Sequence, residues 1–103
     1  MTRPVLWSRA ALDDLKVAVS HIARENPEAA RKAAAAIREA GKKLGVHSTG
    51  RKGRVDGTFE KSVAGLPYII AYAIETVAGG ERIAVLHVIH TSRDWPAGRW
   101  PKP

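Results

Sequence analysis

The sequence predicts an α+β domain in which a helical hairpin packs on one face of a small, mainly antiparallel twisted sheet, in the order β-α-α-β-β-β. Two segments with apolar residues at helical spacing lie on either side of Asn26-Pro27. Two apolar, β-branched runs, 68–77 and 82–89, flank a glycine-containing segment that suits a tight hairpin turn. The 103 residues, 45% of them apolar, are enough for one core and one domain.

The N-terminal segment predicts a short strand followed by a helix. Pro4–Trp7 favours an extended conformation, and Ser8 is placed to cap the helix with its hydroxyl. Four apolar residues fall three or four positions apart and predict the inward face of this helix: Leu12, Leu15, Val19 and Ile22. Asp13 and Asp14 lie near the helix N-terminus, where the macrodipole favours negative charge. Adjacent helical residues point about 100° apart, which argues against paired acid–base chemistry.

The second helix is predicted to start almost at once, at Asn26-Pro27. Asn is a good cap, and Pro is tolerated at the first helical position. Small residues dominate the predicted inward stripe of this helix: Ala30, Ala33, Ala34, Ile37, Ala40, Gly41 and Leu44. Such a stripe lets two helices approach closely, so an antiparallel helical hairpin is expected.

Positive charge is concentrated in one segment. The chain carries 17 Lys and Arg against 10 Asp and Glu, a net charge of +7. Residues 42–54 contain five cations and no acid: Lys42, Lys43, Arg51, Lys52 and Arg54. Gly45–Gly57 has four glycines and predicts a loop, but not a phosphate-binding loop, since Gly-Lys-Ser/Thr is absent. A basic loop suits a phosphate backbone or an acidic partner, and simple solvation of its charges is the alternative.

Three strands are predicted in the C-terminal half. Thr58–Val63 forms the first, and a turn at residues 65–67 leads into the hairpin. In the last strand, strict alternation places four residues on one face: Ile83, Val85, His87 and Ile89. Neither hairpin strand alternates cleanly between apolar and polar residues, so both sheet faces are expected to be covered, one by the helices and the other by, for instance, a partner chain. The segment after Trp95 contains three prolines and is expected to be irregular and exposed.

Composition excludes several classes of site. Without cysteine, the chain has no disulfide, thiolate chemistry or cysteine zinc site. His87 and His90 lie three residues apart in a strand and therefore face opposite sides, which argues against a shared metal, and His87 is expected in or near the core. No metal or cofactor is expected. No run approaches the roughly 20 apolar residues that cross a bilayer, and a signal-peptide core is missing, so a cytoplasmic location and no membrane partner are expected.

Five motifs in order resemble a known family. SRAALDDL opens the first helix and NPEAA the second, and they are followed by GRVDGTFE, PYIIAYAI and VLHVIHTSRDWP. Together they resemble the RelE/ParE superfamily of bacterial toxins, ParE-like branch, over nearly the whole chain. The resemblance implies one toxin domain at residues 1–97, an irregular tail at 98–103, and a ParD-like antitoxin that wraps the toxin and neutralises it.

The superfamily has two main activities, and the resemblance leaves both open. RelE-like members cut messenger RNA on the ribosome, and ParE-like members inhibit DNA gyrase. In RelE-like nucleases, an arginine typically stands three residues before the tyrosine of the third strand, whereas here Ile69 precedes Tyr72. Residues 66–74 contain no Arg, Lys or His, which favours the gyrase inhibitor. The nuclease alternative would use Glu60, Arg54, His90 and Arg93, and a relic that only binds its antitoxin is the third possibility.

Two sets of contact residues are expected from the resemblance and the charge pattern. Gyrase is expected to contact Arg51, Lys52, Arg54, His90, Arg93 and Trp95, with a packing role as the alternative for Trp95. An acidic, amphipathic segment of the antitoxin is expected to contact Leu15, Val19, Tyr68, Ile70 and Tyr72. The alternation of side chains along strands allows Glu60 and His90 to lie on the same sheet face, but the sequence does not give the register between their strands. Direct DNA binding without the antitoxin is not expected, because the recognisable DNA-reading folds are absent from the sequence.

Overall fold

A computed structural model describes residues 2–93, 95 and 98–101. Its elements are β1 (Val5–Trp7), α1 (Arg9–Ala23), α2 (Pro27–Leu44), β2 (Arg51–Lys52), β3 (Phe59–Ser62), β4 (Tyr68–Val77) and β5 (Gly80–His90). The strands form one sheet in the order β1-β5-β4-β3-β2, in which only β1 and β5 pair in parallel. Both helices pack on one face of the sheet, which confirms the predicted α+β class. Neither described helix is long and apolar enough to span a bilayer.

The helices begin where the sequence predicts. The Ser8 hydroxyl accepts the backbone N–H of Ala11 at 3.0 Å, and the Asn26 side chain accepts that of Ala29 at 3.1 Å. In the predicted stripe of α2, Ala34 and Ala40 are half-buried, and the other five residues are buried: Ala30, Ala33, Ile37, Gly41 and Leu44. The inward face of α1 is rotated from the prediction, because its buried residues are Ala11, Leu15 and Ala18. Leu12 is 51% exposed, so its assignment to the inward face was wrong.

The hairpin of β4 and β5 closes on a two-residue turn. Val77 pairs with Gly80, and Ala78 and Gly79 form the turn between them. Gly79 and Gly80 adopt φ values of 89° and 142°, which a residue with a Cβ rarely adopts. This is the tight turn that the glycines predict.

A β-bulge changes the alternation of β5. Ala71 pairs with His87, but the next residue of β4, Tyr72, pairs with Val85, so Leu86 is an extra residue. Ile83 and Val85 therefore face the helices with Val88, whereas His87 lies opposite Ala71 on the other face, which we call the outer face. The prediction that His87 and Ile89 share a face with Ile83 and Val85 was wrong.

The outer face is covered in part by the chain's own C-terminal segment. Ile69, Ala71 and Ile89 form an apolar cluster with Trp95, and Trp100 packs against it. The Trp100 ring centroid lies 5.9 Å from that of Trp95. The expectation of a covered second face is thus met within the chain, and the expected exposure of the tail was wrong at Trp100.

The edge of β5 beyond β1 is closed by α1. β1 pairs only with residues 83–85 of β5. Past that point, the Ser8 hydroxyl donates to the Leu86 carbonyl at 3.0 Å, and Asp14 accepts the Val88 N–H at 3.0 Å. Asp14 also lies 3.0 Å from Nδ1 of the half-buried His87. The first turn of α1 contains no acid, so the predicted dipole role of Asp14 is corrected to that of a strand-edge acceptor.

Candidate functional site

The cationic segment is held against the sheet at its N-terminal end by a buried tyrosine. We call residues 50–54, which include β2, the basic ribbon. The Gly50 N–H donates to the hydroxyl of the fully buried Tyr72 at 3.0 Å. Burial raises the pKa of Tyr72 above its ordinary value of 10.0, against smaller lowering effects of the Gly50 N–H and of Arg3, so the phenol is neutral at pH 7. A Cβ at Gly50 would lie 2.6 Å from the hydroxyl oxygen, so this contact requires glycine.

A buried carboxylate holds the other end of the basic ribbon. Glu60 pairs in register with Arg51 of β2, and its side chain is only 2% exposed. One carboxylate oxygen accepts the Arg54 backbone N–H at 2.8 Å, and the other lies 3.5 Å from the Arg51 guanidinium. Both oxygens are therefore engaged, and a buried carboxylate needs such partners to offset its desolvation.

Arg54 stacks on the aromatic cluster of the outer face. Its guanidinium carbon lies 4.4 Å from the centroid of the Trp95 ring, within the range of a cation–π contact. The Arg54 carbonyl accepts the Gly98 N–H at 3.0 Å. Trp95 is only 8% exposed and its ring supports Arg54, which favours the packing alternative. Its contact with a target stays a prediction.

His90 lies apart from the basic ribbon. It pairs with Tyr68 in the sheet, and the two rings meet edge to face at 5.1 Å between centroids. Its Nδ1 accepts the Ser92 N–H at 3.0 Å. Tyr68 belongs to the helix-side core, whereas Glu60 pairs with Ala71 on the outer face. The register that the sequence left open thus places Glu60 and His90 on opposite faces, because their partners on β4, Ala71 and Tyr68, are three residues apart.

The remaining predicted contact residues are at the surface. Lys52 in β2 and Arg93 after β5 are both exposed, and the Arg93 backbone N–H donates to the His90 carbonyl at 3.0 Å. His87 and His90 face opposite sides of the sheet, as predicted. Over residues 2–93, 95 and 98–101, no three acidic or histidine side chains are grouped to hold a metal.

The residues expected to bind an antitoxin lie in the protein's own core. The set is Leu15, Val19, Tyr68, Ile70 and Tyr72, and each member packs between the helices and the sheet. The helices cover this sheet face, so Leu15, Tyr68, Ile70 and Tyr72 are buried within the domain and Val19 is half-buried. Contact of these residues with an antitoxin stays a prediction.

The structure contains an open groove between α2 and β3 that the sequence does not predict. It has a volume of about 940 Å³, and its apolar lining consists of Ala36, Ala40, Leu44, Val46, Val63 and Ala64. Lys43, His47 and Lys61 also line it, with Glu39 as the one acid. Val46 is 55% exposed. The groove brings residues 36–49 beside 61–64, which no local pattern indicates, and we call it the α2–β3 groove.

Comparison with known proteins identifies the family. The family model for the "ParE toxin of type II toxin-antitoxin system, parDE" matches residues 5–95. "Putative toxin Y4kP" of Sinorhizobium fredii is 32% identical over 93 residues, which are 89% of this chain and 92% of that protein. The structure titled "Chromosomal ParDE TA system from P. aeruginosa" shares the fold, with a TM-score of 0.77 and 24% identity over 88% of this chain and 98% of that one. The chain therefore belongs to the ParE toxin family of type II toxin–antitoxin systems.

Proposed function

We propose that this toxin acts in the cytoplasm by binding DNA gyrase and trapping the gyrase–DNA cleavage complex, and that a ParD-like antitoxin neutralises it. The observation that carries the proposal is the absence of a cation from β4. At the position where RelE-like nucleases place an arginine, Ile69 packs against Trp95 in the outer-face cluster. A protein-binding toxin needs no cation there, whereas RNA cleavage needs positive charge near the developing phosphorane.

The arrangement of the alternative catalytic residues also supports a binding mechanism. A base, a proton donor and a cation must converge on one phosphate for cleavage by the 2′-hydroxyl. Glu60 is buried with both oxygens engaged, and it lies on the outer face, whereas His90 packs on Tyr68 of the opposite face. These groups do not converge, so the ribosome-dependent nuclease is the weaker reading.

The α2–β3 groove is the surface that we propose for the antitoxin. Its apolar lining suits the apolar side of an amphipathic segment, and Lys43 and Lys61 suit acidic side chains along that segment's edge. The net charge of +7 adds long-range attraction to an acidic partner. The groove thus replaces the core residues as the proposed contact.

A gyrase assay tests the proposed activity. Purified toxin is expected to inhibit DNA supercoiling and to increase cleaved DNA, and added antitoxin is expected to reverse both effects. A toxin that arrests growth but changes neither readout would refute the proposal. Codon-phased cuts in translated messages, mapped by primer extension in cells, would assign the nuclease activity instead.

A pair of matched variants tests the antitoxin surface. Val46→Glu places a charge in the α2–β3 groove, and Val17→Glu places the same charge on the exposed face of α1. Loss of one buried valine contact costs about 1.5 kcal/mol or more, so Val46→Glu should weaken antitoxin binding about tenfold or more. Equal affinities of the two variants, measured by titration calorimetry, would exclude the groove.

A further inference from the structure

We propose that the basic ribbon binds the phosphate backbone of duplex DNA while gyrase holds that DNA, so that the toxin contacts both protein and DNA. The inference rests on the proposed function, because gyrase supplies the DNA. It goes beyond that function by assigning a second class of ligand to a defined part of the surface.

The charge of the basic ribbon is only partly neutralised by its surroundings, since Glu60 pairs with Arg51 alone among its cations. Residues 42–54 contain five cations and no acid, and Asp56 is the nearest exposed acid in the sequence. The Arg51 side chain is 63% exposed although it faces Glu60. Within the described part of the chain, no carboxylate pairs with Arg54 or Lys52. The segment therefore presents net positive charge to solvent.

The backbone of the basic ribbon, which the sequence predicts as a loop, is also held in place by hydrogen bonds. Tyr72 fixes Gly50, Glu60 fixes the Arg54 backbone, and the Gly53 N–H donates to the Thr58 carbonyl at 2.8 Å. Cations on a fixed backbone lose less conformational entropy on binding than cations on a mobile loop. The ordering thus favours contact with a regular, repeating array of charges.

Arginine side chains on this backbone suit phosphate groups. A guanidinium presents a planar fork of N–H donors that matches two phosphate oxygens. The ring of Trp95 restricts one face of the Arg54 guanidinium, and Glu60 restrains Arg51. Both groups are therefore held in preferred directions before a ligand arrives.

The composition of the surface favours a nucleic acid over an acidic protein. Protein interfaces have an apolar centre within a polar rim, whereas DNA interfaces are polar, wet and positively charged. The exposed large apolar residues of the described chain are Leu6, Leu12, Val17 and Val46, none of which is in the basic ribbon. The chain thus separates an apolar groove that suits a protein segment from a cationic ribbon that suits a phosphate backbone.

A double variant with a matched control tests the proposal. K52Q/R54Q removes two ribbon cations and keeps the Arg51–Glu60 pair. K32Q/R38Q removes one exposed Lys and one exposed Arg from α2, so both variants go from +7 to +5. Thermal unfolding establishes that each variant is folded. If loss of the Arg54–Trp95 contact unfolds the double variant, the single variant K52Q is tested instead, with K32Q as its control.

The assay measures toxin binding by fluorescence anisotropy to gyrase alone, to gyrase with DNA, and to duplex DNA alone. Two phosphate contacts give a slope of about −1.8 in a plot of log affinity against log salt concentration. The affinity therefore falls about twelvefold between 50 and 200 mM salt. Lys52 and Arg54 are thus assigned to DNA, whereas the sequence predicts their contact with gyrase. K52Q/R54Q should therefore lose this slope in both DNA arms and bind gyrase alone unchanged. The control variant should match the parent. Binding to free duplex is expected to be weak, with Kd about 10⁻⁴ M.

The outcomes separate this inference from the proposed function. An unchanged salt slope for K52Q/R54Q on duplex DNA would overturn the inference whatever the gyrase arms give. An equal loss of affinity for gyrase with DNA and for gyrase without DNA would assign the basic ribbon to an acidic protein surface. Absence of binding in both gyrase arms would refute the proposed function. The arm with duplex DNA alone would still show whether the basic ribbon binds phosphate groups.

Discussion

Replacing Tyr72 by Phe should release the basic ribbon without disturbing the core. The ring is fully buried against Phe59, with 5.6 Å between centroids, and Phe keeps that contact. What is lost is the acceptor for the Gly50 N–H, which lies 3.0 Å from the hydroxyl oxygen. The perturbation is therefore one hydrogen bond between β4 and the start of the basic ribbon.

The magnitude follows from the burial of the two partners. A donor left unpaired in a buried site costs about 1–3 kcal/mol, and the half-buried Gly50 allows partial access of water, which favours about 1–2 kcal/mol. In a domain of this size, each kcal/mol lowers the midpoint of thermal unfolding by about 4–8 °C. The expected decrease in the midpoint is therefore about 4–16 °C.

Chemical denaturation and amide hydrogen exchange measure the two parts of this prediction. Urea unfolding of Tyr72→Phe should give a lower midpoint with an unchanged slope, and the Gly50 amide should lose more protection than the amides of α1. Tyr68→Phe is the matched control, since this tyrosine is also buried but its hydroxyl forms no hydrogen bond within the described residues. If Tyr72→Phe and Tyr68→Phe were equally stable, or if the Gly50 amide stayed protected, the reasoning would be refuted.

Three further predictions concern the edge of β5, the helix contact and alkaline pH. Asp14→Ala should lower the free energy of unfolding in urea by about 1–3 kcal/mol because a backbone N–H of β5 loses its acceptor, and Asp14→Asn should cost less. Gly41→Ala should lower the thermal midpoint despite the higher helix propensity of Ala, since a Cβ there would lie 2.5 Å from the Trp7 ring and overpacking costs about 1–3 kcal/mol; an unchanged midpoint would contradict the contact. Burial raises the pKa of Tyr68 and Tyr72 above 10.0 in the folded state, so the stability that these tyrosines contribute is present below pH 10.0 and is lost as pH rises through their folded values. Urea unfolding at rising pH should show this loss in the parent and a smaller one in the variant with both tyrosines changed to Phe.

Features with a short-range cause are the ones that the sequence predicts well. Ser8 and Asn26 cap helices through backbone groups three residues away, and the glycines of the β4–β5 turn act through their own φ angles. The extra residue at Leu86 has no comparable signal, because β-branched and apolar residues continue through it. Which residues of β5 face the helices, including the positions of His87 and His90, can therefore be assigned only once the register of the sheet is known.

The candidate site shows the same division. The concentration of cations is readable from residues 42–54, but the order of the basic ribbon depends on Tyr72, which is 22 residues from Gly50 in the chain. The sequence predicts that apolar residues of β4 contact a partner, whereas the same residues pack against the helices in the core. A period of two gives the two faces of a strand but does not say which face the helices will cover.

The closure of the β5 edge by α1 has a consequence for the toxin outside its complex. A long strand with free backbone groups is a template for pairing with another molecule. Here the edge strands β1 and β2 have three and two residues, while Ser8 and Asp14 occupy backbone groups of the eleven-residue β5 beyond β1. The β5 edge of a toxin freed from its antitoxin would thus resist pairing with a strand of another molecule.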